Sequence, residues 1–242
     1  FVERACRRRE SVGADGVIFV ESSDRYDFGW RFFNADGGEV EMCGNGGRCV
    51  ARFAYLKGIA GKEMVFGTKV GPVSAEVRAR VVKVLMPDPS GFVRDIPFEL
   101  DYREDWKWVD FINTGVPHVV AAVEDLHDHP VVAQGMAIRY HPQFAPAGTN
   151  ANFIKVSGSD RIEIRTYERG VENETLACGT GAIASALVCS ARGLVNPPVK
   201  VKTRGGEELT IHFSKEENSF DRVYLEGNTS IIYRARLHEE AL

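Results

Sequence analysis

The chain has no apolar run approaching the ~20 residues that a membrane-spanning helix needs, so no membrane partner is expected. It has no excess of positive charge either. Thirty Lys and Arg stand against 34 Asp and Glu, for a formal net charge of −4, which leaves no global basic field to draw in nucleic acid. The one local basic run, Arg4-Ala5-Cys6-Arg7-Arg8-Arg9, reads as the exposed face of a helix. Cysteine is scarce: five in 242 residues, an odd count without the spacing of a disulfide framework. Such thiols point to a reducing, cytoplasmic setting and to chemistry or packing rather than crosslinks. The C-x2-4-C spacing of a zinc site is missing. No Gly-Lys-Ser/Thr follows the glycine turns, as a phosphate-binding loop requires. No cofactor and no metal is expected.

What is present is a repeat. Cys43-Gly44-Asn45-Gly46 and Cys178-Gly179-Thr180-Gly181 lie 135 residues apart, and the same offset carries Glu39 onto Glu174, Ala51 onto Ala186 and Gly58 onto Gly193. It also carries Gly13 onto Gly148, Thr68 onto Thr203 and Gly71 onto Gly206. Residues 26–33 and 161–167 read as half-exposed strands. Each leads through a polar loop to its cysteine. Residues 43–57 and 178–192 carry apolar side chains at helical spacing, end on a basic residue and stop at a glycine. Strand patterns follow at 64–84, and again at 199–213 and 222–233. A period this long is a domain duplication, since solenoid repeats span ~20–50 residues. The expected class is α/β (α+β), with two pseudo-symmetric domains: 1–86 plus 228–242, and 87–227. The segment Gly115-Val116-Pro117-His118 has its counterpart before Phe1, and 4–10 looks like the end of a helix. An opening strand and much of a helix are therefore expected to be missing from the first half.

A cysteine opening a helix on a glycine turn has a chemical use. The helix N-terminus favours a thiolate, and the free N–H groups of its first turn bind anions. Glycine lets a ligand come close to that backbone. A substrate carboxylate held there would put its α-carbon beside the sulfur. Two such thiols can take a proton from one face of that carbon and return one to the other, with helix N-termini stabilising the charge that develops. Cys49 and Cys189 fall inside the helices and read as packing residues.

At these residues the chain resembles the diaminopimelate epimerases. The strings are Phe33-Asn34-Ala35-Asp36-Gly37, Met42-Cys43-Gly44-Asn45-Gly46-Gly47-Arg48-Cys49, Gly115-Val116-Pro117-His118, Tyr167-Glu168-Arg169-Gly170 and Ala177-Cys178-Gly179-Thr180-Gly181-Ala182. The resemblance implies a curved, mostly antiparallel sheet around a central helix in each half, and a homodimer. It implies that Cys43 and Cys178 are the acid/base thiols and that His118 and Glu168 assist them. It implies that Gly44, Asn45, Gly179 and Thr180 cradle the reacting carboxylate, while Asn34, Asn150, Glu168 and Arg169 hold the distal amino acid end of diaminopimelate. Three departures stand out. Val116 replaces a substrate-contacting Asn of many members, Gly16 replaces a Gln of some, and the family's opening strand with a further Asn is absent. Two rivals remain: a racemase of proline, hydroxyproline or histidine on the same fold, and a redox-sensing binding protein with a Cys43–Cys178 disulfide.

Overall fold

The computed structural model describes residues 1–97, 106–216 and 219–241. The chain divides into two compact units, Phe1–Leu85 with Asn228–Leu242, and Met86–Gly227.

The first unit begins with a short helix α1 (Val2–Cys6), followed by strands β1 (Gly16–Glu21), β2 (Phe28–Asn34) and β3 (Glu39–Val40). Helix α2 (Gly44–Leu56) comes next, then β4 (Glu63–Thr68), β5 (Gly71–Arg78) and β6 (Val81–Leu85). β2 pairs antiparallel with β1 and β3 and parallel with β4, and β4–β5–β6 is an antiparallel meander. Strand side chains alternate between faces, so β5 alternates buried with half-buried positions, with Val73, Ala75 and Val77 inward. These residues meet Val50, Ala51 and Ala54 of α2 in a core that also holds Phe28 stacked on Phe66, ring centroids 5.1 Å apart.

The second unit opens with β7 (Ser90–Val93), β8 (Trp106–Asn113) and β9 (Pro117–Val123), then helix α3 (Val131–Arg139). From there it repeats the first: β10 (Asn150–Gly158), β11 (Arg161–Glu168), β12 (Asn173–Thr175), α4 (Gly179–Ala191), β13 (Val199–Lys202), β14 (Glu208–Glu216) and β15 (Ser219–Asn228). The pairings match strand for strand. β10–β11 and β11–β12 are antiparallel, β11–β13 is parallel, and β13–β14–β15 is a meander. The 135-residue offset maps α2 onto α4 residue for residue. It also pairs left-handed glycines: Gly13 with Gly148, Gly58 with Gly193 and Gly71 with Gly206 all have positive φ. Gly37 pairs with Glu172, which holds φ 57° despite its side chain.

The two helices differ in surroundings. Gly179-Thr180-Gly181-Ala182-Ile183-Ala184-Ser185-Ala186-Leu187-Val188 is small or apolar on every side, the mark of a helix enclosed all round. Strands β8, β9, β10, β11, β13 and β14 all pack on it. Burial of Ile183, Leu187 and Val188, each at 1% exposure or less, stabilises it by about 1.5–3 kcal/mol per side chain. α2 packs on β1, β5 and β6 and leaves Phe53 and Leu56 exposed. The far end of α4 is tied down by Arg192, which donates to Asp110 at 2.6 and 2.7 Å and to Asp95, with its guanidinium 4.4 Å over the Trp108 ring.

Two sequence expectations shift. The strand read at 222–233 ends at Asn228. There Thr229 leaves the ladder pattern, donating its N–H to the Arg80 carbonyl while its own carbonyl accepts from Arg52 Nη1. The helix read at 4–10 lies earlier, at Val2–Cys6. Among the described residues no helix is long and apolar enough to cross a membrane.

Candidate active site

Each 13-residue helix begins on a sulfur. Cys43 is the N-cap of α2 (φ −145°, ψ 117°), and its Sγ accepts from the Gly46 N–H at 3.4 Å. Cys178 is the N-cap of α4 (φ −124°, ψ 112°), and its Sγ accepts from the Gly181 N–H, also at 3.4 Å. Extended backbone at the cap followed by helical backbone is ordinary capping geometry. The weak sulfur acceptor is the unusual part. Gly47 and Ala182 then donate to the carbonyls of Cys43 and Cys178 as the first helical hydrogen bonds. This leaves the N–H groups of Gly44, Asn45, Gly179 and Thr180 without intrahelical acceptors. They gather partial positive charge beside each thiol.

The second glycine of each turn sits in a tight contact, and only that of the second unit is required by packing. A Cβ at Gly46 would sit 3.3 Å from Ile18 and Trp30 side-chain carbons, and one at Gly181 would sit 2.3 Å from Asn152 Oδ1. Both helix starts are thus pressed onto the strand behind them.

The second unit adds a polar layer around its thiol. Cys178 is buried, and its Sγ lies 3.5 Å from Thr180 Oγ1. The Thr180 carbonyl accepts from Thr114 Oγ1 at 3.1 Å. His118, at the start of β9, is fully buried and lies beside Asn150 in the β9–β10 ladder. Its Nδ1 is 3.1 Å from Asn152 Nδ2, and its Nε2 is buried with no hydrogen-bond partner among the described residues. Burial, with the Arg169 charge nearby, pushes His118 down to about 3, so the ring is a neutral imidazole at physiological pH.

Glu168 ends β11, and Arg169 opens the turn that follows. Burial raises the Glu168 carboxyl above the usual carboxylate range, partly offset by Thr175 Oγ1 donating at 2.9 Å. Arg169 donates through Nη1 to the Ala147 carbonyl at 3.1 Å. Asn150 uses its side chain structurally, donating to the Pro117 carbonyl and accepting from the Arg169 N–H, both at 2.9 Å. It fixes His118's strand to the Arg169 backbone.

The first unit holds Cys43, Gly44, Asn45 and Asn34. Asn45 is exposed on the first turn of α2. Asn34 ends β2 in a tight turn, its N–H donating to Gly38 and its carbonyl accepting from Gly37. The second unit holds Cys178, Thr180, His118, Asn150, Glu168 and Arg169; Thr180 lies beside Cys178, and Asn150 links the strand of His118 to Arg169. Sequence reasoning passed over Asn152, Thr166, Thr114 and Thr175. For Asn152 a signal existed: one amide inside the otherwise apolar strand Ala151-Asn152-Phe153-Ile154, where a buried polar group needs partners.

The family model described as diaminopimelate epimerase matches residues 1–90 and 111–232. A diaminopimelate epimerase from Aquifex aeolicus (strain VF5) is 48% identical over 249 residues, covering 100% of this chain and 86% of that protein. One from Chlorobaculum tepidum is 40% identical over 98% of this chain and 90% of its own length. Among solved structures, a phenazine biosynthesis protein of the PhzF family from Bacillus anthracis superposes with TM-score 0.74 at 15% identity, covering 93% of this chain and 84% of that one. A hydroxyproline epimerase from Agrobacterium vitis does so with TM-score 0.69 at 17% identity, covering 94% and 75%. At such identities the likeness is one of fold.

Proposed function

The chain belongs to the diaminopimelate epimerase family, and from that premise we propose that it interconverts LL- and meso-diaminopimelate with Cys43 and Cys178 as its acid/base pair. It is an isomerase by family, and the substrate is a small-molecule amino acid. The observation that carries the two-thiol reading is the matched pair of helices, each capped by a sulfur bonded to the third N–H of its own helix.

The chemistry balances without any outside reactant. One sulfur, as thiolate, takes the α-proton, and the electron pair of the broken C–H bond moves onto the carbon and its carboxylate. The other sulfur, as thiol, gives its proton to the opposite face. Each turnover leaves the protonation of the two sulfurs exchanged. The N–H groups of Gly44, Asn45, Gly179 and Thr180 supply partial positive charge where the carboxylate gains negative charge. His118 is held neutral by its burial, so its role is to donate a hydrogen bond rather than to carry the proton. Arg169 can pair with the distal carboxylate through its guanidinium. The half-buried Glu168 can accept from the distal ammonium. A site that pairs both charged ends rejects truncated amino acids, because its polar groups would be stranded.

A homodimer fits the exposed run Ile231, Ile232 and Tyr233, and sedimentation would test it. A reducing cytoplasm fits five cysteines that are not joined in disulfides.

The deciding experiment follows the α-proton of LL-diaminopimelate by NMR in D2O with reduced protein. Loss of the signal with growth of the meso form, reduced at least ~10²-fold in Cys43→Ala and in Cys178→Ala, is the expected result. Exchange of proline or histidine with none of diaminopimelate would overturn the substrate. Unchanged exchange in either variant would overturn the two-thiol mechanism.

A further inference from the structure

We propose that Asn152 is a positioning residue that locks His118 as the neutral imidazole with its proton on Nε2, and that couples this ring to the turn carrying Cys178. The proposal rests on the acid/base reading of the site above, and it assigns a role to a side chain that touches none of the reacting groups directly.

The inference starts from the Asn152 amide. Asn152 is fully buried on β10. One end of its amide lies 2.8 Å from the Val119 carbonyl oxygen, and the other accepts from Thr166 Oγ1 at 3.0 Å. A backbone carbonyl only accepts, so the end facing it is the NH2 and the orientation of the amide is settled by its neighbours. That same NH2 lies 3.1 Å from His118 Nδ1. An amide nitrogen has two hydrogens and no acceptor capacity. One hydrogen goes to Val119, and the second meets Nδ1, which must then be the bare ring nitrogen. The proton of the neutral ring is on Nε2.

Nε2 is buried without a partner among the described residues. A buried N–H left unpaired carries the full cost of its lost hydration. Such a group in a native structure calls for an explanation, and a bound substrate atom supplies one. A donor fixed in place before the substrate arrives needs no reorganisation during the reaction. The link to the thiol comes from Gly181. A Cβ at that position would lie 2.3 Å from Asn152 Oδ1 and 3.3 Å from Cys178 Sγ. The Asn152 amide is therefore packed directly under the first turn of α4. Thr166, Asn152, His118 and the Cys178 turn form one contiguous buried layer drawn from β11, β10, β9 and α4. The first unit has no counterpart, since the 135-residue offset puts Val17 where the second has Asn152.

The test is long-range 1H–15N NMR of 15N-histidine-labelled protein at neutral pH, with His118 assigned by its loss in His118→Gln. The expected result is a proton-bearing Nε2 and a bare Nδ1 for His118 in the unliganded wild type. Asn152→Asp replaces the donor by an acceptor and is expected to move the proton to Nδ1. With it, kcat should fall about ten- to hundredfold, by analogy with the loss of a hydrogen-bond partner that orients a metal-bound histidine, with KM nearly unchanged. Thr166→Val, a gentler change, should leave the protein folded and yield a mixture of the two tautomers. A wild-type His118 carrying its proton on Nδ1 would overturn the proposal without recourse to any variant. So would an Asn152→Asp protein that is folded and keeps both the tautomer and kcat. If the wild type shows the Nε2–H form but exchanges no α-proton of diaminopimelate, the functional assignment fails while the role of Asn152 in setting the ring stands.

Discussion

At the scale of single residues, the fully buried His118 sits in an environment far from water. Its charged form is disfavoured first by burial and then by Arg169, which places it near 3 rather than at the ordinary 6.5. The folded protein therefore binds fewer protons here than the unfolded chain does between those two values. By linkage, stability is fully present above pH 6.5 and is lost as pH falls towards 3. The loss should amount to a few kcal/mol at most. Urea midpoints measured from pH 7 down to pH 4 should fall more steeply for wild type than for His118→Gln, whose profile should be flatter. Equal slopes would mean that the ring gains a proton in the folded state. The Asn152 layer shows what a sequence conceals at this scale. A Cys-Gly-x-Gly string repeated at a fixed offset is visible in one dimension. Asn152, Thr166 and His118 come from three separate strands, and only pairing of those strands makes them neighbours.

At the scale of elements, the sequence was legible wherever a local rule governs. Helix ends show this best: Cys43 and Lys57 bracket α2, and Cys178 and Arg192 bracket α4, because a capping residue at one end and a left-handed glycine at the other are local signals. It was less legible where tertiary contacts decide. The strand pattern at 222–233 continues past Asn228, but hydrogen bonds to Arg80 and Arg52 end the strand there. Glu172 adopts the left-handed conformation of its counterpart Gly37 with no glycine to announce it. It is held there by Arg139 Nε and the Gly170 N–H, both donating to its carboxylate at 3.0 Å. The two helix starts should also respond differently to the same substitution. At Gly46 an added methyl meets ends of side chains at 3.3 Å, which can give way. At Gly181 it meets the Asn152 oxygen at 2.3 Å, which Thr166 and Val119 hold in place. Gly181→Ala is expected to cost about 1–3 kcal/mol. Gly46→Ala should stay within about 1 kcal/mol, since the gain in helix propensity offsets crowding. Thermal denaturation of the two single variants would show this order; equal costs would mean that the amide is free to move.

At the scale of the whole molecule, the duplication was readable from matched glycines and cysteines, and so was the discontinuity of the first half, while the polar layer confined to the second half was not. The second half encloses its helix on all sides, and the first leaves Phe53 and Leu56 of α2 in water. The halves also differ in continuity. Met86–Gly227 is one uninterrupted stretch, whereas the first unit is completed by Asn228–Leu242. That return segment is bound through Arg52 to the Thr229 carbonyl at 2.7 Å, and through Thr229 N–H to the Arg80 carbonyl at 2.8 Å. Arg80 also donates to Ser230 Oγ at 2.8 Å. A fragment spanning 86–227 should unfold cooperatively in urea by itself. A fragment spanning 1–85 should show no such transition unless a peptide of 228–242 is added. A cooperative transition in 1–85 alone would show that the return segment is dispensable to that unit.

The return of the chain at Asn228 sets a timetable on the ribosome. Synthesis runs at about 5–20 residues per second, so the first 85 residues emerge several seconds or more before the segment that completes their unit. Residues 1–85 are made before 86–227 but completed after them, and over that interval their strands and α2 wait without the segment that ties them down.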